Sequence, residues 1–199
     1  MSLTLIFVLI TAVISVYGFN NESLKYRWSM NPASITRHGE YWRFLSSGFI
    51  HADWMHLLFN MVALYSFGQL LEYTIGPTYF LPLYLLGIVV SDLPTYFKNR
   101  NNSYYSSLGA SGGVSAVVFA GIMFYPLTPI YLFFIPIGIP GFIFGALYIF
   151  YSYYEARRGG GHINHSAHLW GALFGIAFVV LLFPSAIPSF IEQIVSWRL

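Results

Sequence analysis

Six apolar stretches, each long enough to pass through much of a bilayer, fill most of this 199-residue chain. A bilayer core takes roughly 20 apolar residues per helix, fewer where a helix is short or shielded. Only 8% of the residues are charged, where a soluble domain carries about 25%. The chain therefore reads as an all-α, polytopic membrane protein, and its length fits a single domain over residues 1–199.

The stretches place helices at about 3–18, 55–73, 78–97, 111–125, 140–154 and 167–183. Pro77, Pro126, Pro140 and Pro184 sit near helix ends, where proline is tolerated or stops the helix, whereas Pro82 and Pro94 lie inside the third. The first stretch lacks the basic flank and cleavage site of a signal peptide, so it reads as a retained helix. The long first connection, 19–54, carries Tyr41-Trp42-Arg43-Phe44 and suits the membrane interface, where Trp and Tyr collect. Residues 130–140 read as a short non-helical link, and Gly159-Gly160-Gly161 predicts a flexible fifth connection. The fourth helix, at 1.5 Å per residue, spans only about 22 Å of a hydrocarbon layer about 30 Å thick. It is expected to start below the membrane surface, in a place that protein or trapped water must cover.

Cysteine is absent, which excludes disulfides, thiolate metal sites and a cysteine nucleophile. The net charge of +2 comes without any basic run, so nucleic acid is excluded as a partner.

Two polar segments do not belong in lipid: Gly109-Ala110-Ser111-Gly112 opens the fourth stretch and Ala167-His168-Leu169-Trp170-Gly171 opens the sixth. Backbone N–H groups and the positive end of a helix dipole converge on a residue placed like Ser111, and such donors can hold an acyl-transfer oxyanion. A serine there can also be a plain helix cap. His168 is followed by Gly171 and Gly175, which make a small-residue ridge with Ala167. Gly112, Gly113, Ala116 and Ala120 offer a second ridge. Small faces let helices approach closely in lipid, which would bring the Ser111 hydroxyl to an imidazole able to take its proton. Without that role His168 is an interfacial histidine and the glycines only pack.

On the second helix His56 and Asn60 are four apart, hence on one face, with His51 just before them. Both can donate hydrogen bonds, which suits an oxyanion hole, and both can equally bond one helix to another. His162, His165 and His168 recur every third residue, and three histidines can hold zinc. There is no His-Glu-x-x-His pattern, however, and the first two fall in a glycine-rich loop, so no metal is expected. No carboxylate is placed to orient His168, which predicts a dyad. Asp92 is the least readable carboxylate, while Glu72 is expected in a structural hydrogen-bond network.

Taken together, these residues resemble the rhomboid family of intramembrane serine proteases. The resemblance rests on Gly109-Ala110-Ser111-Gly112, on Ala167-His168 with Gly171 and Gly175, on His51, His56 and Asn60, and on Trp42-Arg43 in the first connection. It implies a bundle of six transmembrane helices without cofactor or metal, in which Ser111 is the nucleophile and His168 the general base. His56 and Asn60 are then oxyanion-hole residues, and His51 supports the first loop or a water-filled cavity. The implied partners are single-span membrane proteins, cut within or beside their transmembrane helix, and the surrounding lipids. Loop one lies in the membrane, loop five near 155–166 covers the site, and the fifth helix is the lateral gate. One departure stands out: in some relatives an aromatic four residues after the nucleophile stacks on the histidine, and here Ser115 occupies that position. His168 is then held less firmly, or by another aromatic.

With no soluble domain before the first helix the minimal core is expected, and the missing targeting segment suggests a bacterial inner membrane. Oligomeric state is not readable. Eight of the nine Lys and Arg residues fall in the first, third and fifth connections, Arg198 being the exception. The positive-inside rule would put those connections in the cytoplasm, whereas the family places the active-site loops on the exoplasmic side, the orientation favoured here. Two rivals remain: an inactive relative that binds membrane helices, and a small transporter, for which no inverted repeat is visible.

Overall fold

The computed structural model describes residues 1–131, 136–158 and 163–197. Arg198, His162 and the Gly159-Gly160-Gly161 run lie outside the described residues. Helices occupy each of the six apolar stretches: α1 (Leu3–Phe19), then, after α2 (Glu22–Trp28), α3 (Pro32–His38) and α4 (Arg43–Ser46), come α5 (Trp54–Ile75), α6 (Pro77–Asn99), α7 (Ser111–Phe124), α8 (Gly141–Arg158) and α9 (His165–Leu182). A last helix, α10 (Ala186–Ser196), follows. Of these, α6 and α9 are long and apolar enough to cross a membrane, and α1 and α7 are apolar but shorter.

Two expectations need correction. Residues 130–140 were to be an irregular link and the chain purely helical. Instead Pro129–Tyr131 and Gly138–Pro140 pair as a small antiparallel ribbon, with Ile130 opposite Ile139. The first connection was to be an interfacial loop, yet it holds three short helices. Asn21 and Asn31 each accept a backbone N–H from the first turn of α2 and α3, and Gly39 ends α3 in the left-handed conformation. These Asn and Gly signals were visible in the sequence, but strong aromatic content masked them.

The centre of the fold is α7, buried on nearly all sides. A helix apolar all round belongs inside a bundle, and its small residues decide its neighbours. A Cβ at Gly113 would strike Ile88 and the Tyr84 carbonyl, and one at Gly87 would strike Ala116, so α6 lies directly on α7. At the opposite end of the molecule, Glu72 accepts from the Leu3 and Thr4 amides at 2.8 Å and from the Thr4 hydroxyl at 2.7 Å. It thereby caps α1, and it is the structural network expected of that carboxylate.

Candidate active site

Helices α7 and α9 touch backbone to backbone. A Cβ on Gly171 would run into the Gly112 carbonyl, and one on Gly175 into the Ala116 carbonyl. Contacts that advance four residues on both helices mean that the two run parallel, with their starts at one end of the bundle. Ser111 precedes Gly112 by one residue and His168 precedes Gly171 by three, so both stand at the starts of their helices, at the same end of the bundle. Both are half-buried. Among the described residues no hydrogen bond joins the Ser111 hydroxyl to His168; catalytic pairs are commonly loose before substrate arrives.

Ser111 is not the cap of its helix. The cap position is Ala110, and among the described residues no side chain caps α7. The preceding segment is instead held from behind. Met30 and Ser107 exchange backbone hydrogen bonds of 2.9 and 3.0 Å, and the Gly109 N–H donates to the Ser47 carbonyl at 2.8 Å. The Ala110 N–H donates to His51 Nε2 at 3.2 Å. That assigns the proton to Nδ1, which faces Ser15 Oγ at 2.9 Å, and the Ser15 hydroxyl donates on to the Phe49 carbonyl at 3.1 Å. Burial above all, with His56 nearby, pulls the His51 imidazole down from 6.5 to about 3 against a weaker opposing pull from Asp53, so it stays a neutral acceptor.

Gly109 has φ +117°, and a Cβ there would meet the His56 ring. That imidazole therefore packs on the backbone two residues before Ser111, edge to face with His51 at 4.9 Å. Asn60, one turn on, is buried and donates to the His56 carbonyl at 2.9 Å, which uses one of its two amide hydrogens. His56 and Asn60 thus stand beside the start of α7.

Arg43 explains its own pairing with Trp42. Its guanidinium is buried, ion-paired with Glu40, and donates to the carbonyls of Tyr26, Arg27 and Ser29, which satisfies the end of α2. It sits over Trp42 with its carbon 5.0 Å from the ring centre. One of the positive charges counted toward orientation is therefore a structural pin.

Two features escaped the sequence. Asp92, buried in α6, accepts from Ser47 Oγ at 3.3 Å and from Asn164 Nδ2 at 3.4 Å. Asn164 caps α9 through the Ala167 N–H at 3.1 Å and also receives Thr95 Oγ1 at 3.0 Å. Among the described residues Asp92 makes no hydrogen bond to His168; it grips the cap of the helix that carries that histidine. The signal available was Asn164 three residues before Ala167. Second, Tyr148 of α8 stacks on His168, with ring centres 6.2 Å apart and planes 19° from parallel, and shares a 2.7 Å hydrogen bond with Ser115. The aromatic missing at position 115 is supplied from another helix. Among the described residues no group of three His, Asp or Glu side chains could hold a metal ion.

Small-residue helices that seat on one another, each with a half-buried polar residue at its start, make a helical protein of the kind the motifs suggested. Residues 38–185 match the family described as the Rhomboid domain, and the chain belongs to the rhomboid family, hence to the integral membrane proteins. It is 32% identical over 144 residues to RHOMBOID-like protein 12, mitochondrial, of Arabidopsis thaliana, covering 64% of this chain and 42% of that protein. It is 31% identical over 178 residues to the human Presenilin-associated rhomboid-like protein, mitochondrial, covering 86% and 45%. Rhomboid protein 1, mitochondrial, of Saccharomyces cerevisiae is 31% identical over 142 residues, covering 67% and 40%. The chain thus spans less than half the length of these curated relatives. Their names are mitochondrial, and the bacterial inner membrane expected from the sequence finds no support in them.

Proposed function

We propose that this protein is a serine endopeptidase of six membrane spans that cleaves single-span membrane proteins within or beside their transmembrane helix. The observation that carries the reading is the seating of Gly171 on the Gly112 carbonyl, which supports a Ser111–His168 pair at one end of the bundle. Ser111 Oγ attacks the scissile carbonyl carbon while His168 takes its proton. The oxyanion that forms is received by the N–H groups opening α7, with the His56 ring and the second Asn60 amide hydrogen beside them. His168 then protonates the departing amine, and water attacks the acyl-enzyme with the same imidazole as base. No cofactor takes part in these steps.

The test is cleavage of a tagged transmembrane reporter in detergent by wild type and Ser111→Ala. Cleavage should fall by at least about a thousandfold, the scale on which serine hydrolases depend on their nucleophile, with the melting temperature nearly unchanged. Activity that survives the substitution would overturn the nucleophile assignment, and a wild type that cleaves no reporter would favour the helix-binding relative. Labelling of Ser111 by a serine-directed covalent probe separates the same two readings.

A further inference from the structure

We infer that Tyr148 is the positioning residue that fixes the His168 ring, and that Ser115 fixes Tyr148. The inference rests on the reading of His168 as the base, and it starts from a gap in that reading. His168 is half-buried and receives no hydrogen bond from a carboxylate among the described residues, so something else must hold the imidazole. A base that wanders by an ångström can lose about a hundredfold in rate.

Among the described residues, two aromatic rings neighbour His168. Tyr148 lies along its face, nearly parallel, and His165 meets it at 75° with centres 5.7 Å apart. His165 belongs to α9 itself and can do no more than line the helix. Tyr148 comes from α8 and reaches between α9 and α7, so it can set the ring's tilt against the helix that carries Ser111. Its own position is well determined. The phenol oxygen is tied to the Ser115 hydroxyl on α7, and the ring packs on Phe119 at 5.4 Å and Phe144 at 5.7 Å.

Ser115 is 5% exposed, and a buried hydroxyl needs a partner. In an apolar helix the Tyr148 hydroxyl is that partner, so the two polar groups satisfy each other in a place where neither would be tolerated alone. Ser115 therefore has a role that the sequence left open: it is short enough to admit a ring from α8, and it bonds the end of that ring. One consequence is specific to this arrangement. Most of the outer face of α8 is exposed, Leu147 and Phe150 included, and α8 is held to the bundle partly by Tyr148 itself. The order of the imidazole then depends on how α8 is seated.

Tyr148→Leu keeps an apolar side chain and removes the stack, and Tyr148→Phe keeps the stack and loses only the hydrogen bond. With the tagged reporter in detergent, Tyr148→Leu should lower kcat by roughly tenfold to a hundredfold with KM little changed, and slow the labelling of Ser111 in step. Tyr148→Phe should recover most of that loss, as should Ser115→Tyr placed on a Tyr148→Ala background, which returns an aromatic from α7. Should Tyr148→Leu melt early, that double variant decides: restored kcat supports the inference and unrestored kcat overturns it. A readout without turnover is the proton spectrum of the His168 ring in micelles. Loss of the Tyr148 ring current should move its resonances downfield in Tyr148→Leu, and unmoved resonances or wild-type kcat in that variant overturn the inference. Cleavage that persists in Ser111→Ala would instead strike the parent reading, and the spectrum would still decide whether Tyr148 holds His168.

Discussion

The starts of α7 and α9 lie side by side and are built in opposite ways. The first turn of α9 has a side-chain cap: Asn164 accepts the Ala167 N–H and is itself gripped by Thr95 and Asp92. Among the described residues no side chain caps the start of α7, and its support comes from behind, through His51 and the Ser47 carbonyl on the residues before Ser111. A missing cap typically costs about 1 kcal/mol, a cost the fold tolerates at one helix and avoids at its neighbour. The difference follows from the proposed chemistry. Helix amides that must receive a developing oxyanion cannot also be occupied by a cap, whereas a helix that must present a base at a fixed height needs its first turn locked.

Gly171→Ala should break the comparison outright, because its Cβ would press on the Gly112 carbonyl and force the two starts apart. Overpacking of this kind costs about 1–3 kcal/mol; thermal melting in detergent should fall accordingly, and reporter cleavage should fall further than stability does. Unaltered melting and cleavage would mean that the helices do not meet there.

Asn164→Ala sharpens the contrast from the α9 side. It removes the cap and leaves Asp92 short of a donor, for an expected loss of roughly 1–2 kcal/mol in melting experiments. Cleavage should drop with KM unchanged, since the base and not the substrate contact is loosened.

Acidification tests the support behind α7. His51 stays neutral in the fold down to about 3, while the unfolded chain binds its proton as pH falls through 6.5. Unfolding therefore takes up a proton between those values, and stability declines as pH drops through that window. His51→Gln should flatten the decline in a melting series from about pH 7 to pH 4, and an unchanged slope would assign it to other groups.

Much of this was legible in the chain because the residues concerned act locally. Gly171 and Gly175 were readable as a ridge because four-residue spacing defines a helix face whatever the neighbour, and Glu72 was readable because a carboxylate near the end of an apolar helix needs donors. Helix boundaries fell within a few residues of those observed, apart from α8 (Gly141–Arg158), which runs four residues beyond its predicted end at 154. The helices of the first connection and α10 were missed, the former because capping signals at Asn21 and Asn31 lay inside an aromatic-rich segment. Asp92 was unreadable for a different reason. Its partners Ser47 and Asn164 come from two parts of the chain, each far from it in sequence.

By itself the sequence determined that these stretches would be helices in a membrane, which of them could approach closely, and which few polar residues would be stranded at their starts. Burial and local spacing are enough for that. Only the tertiary structure decided which ring faces His168 and which carboxylate holds its helix. A helix that is apolar on every side carries no pattern to announce its neighbour, so the rotation that turns Tyr148 toward Ser115 exists only once all three helices are packed.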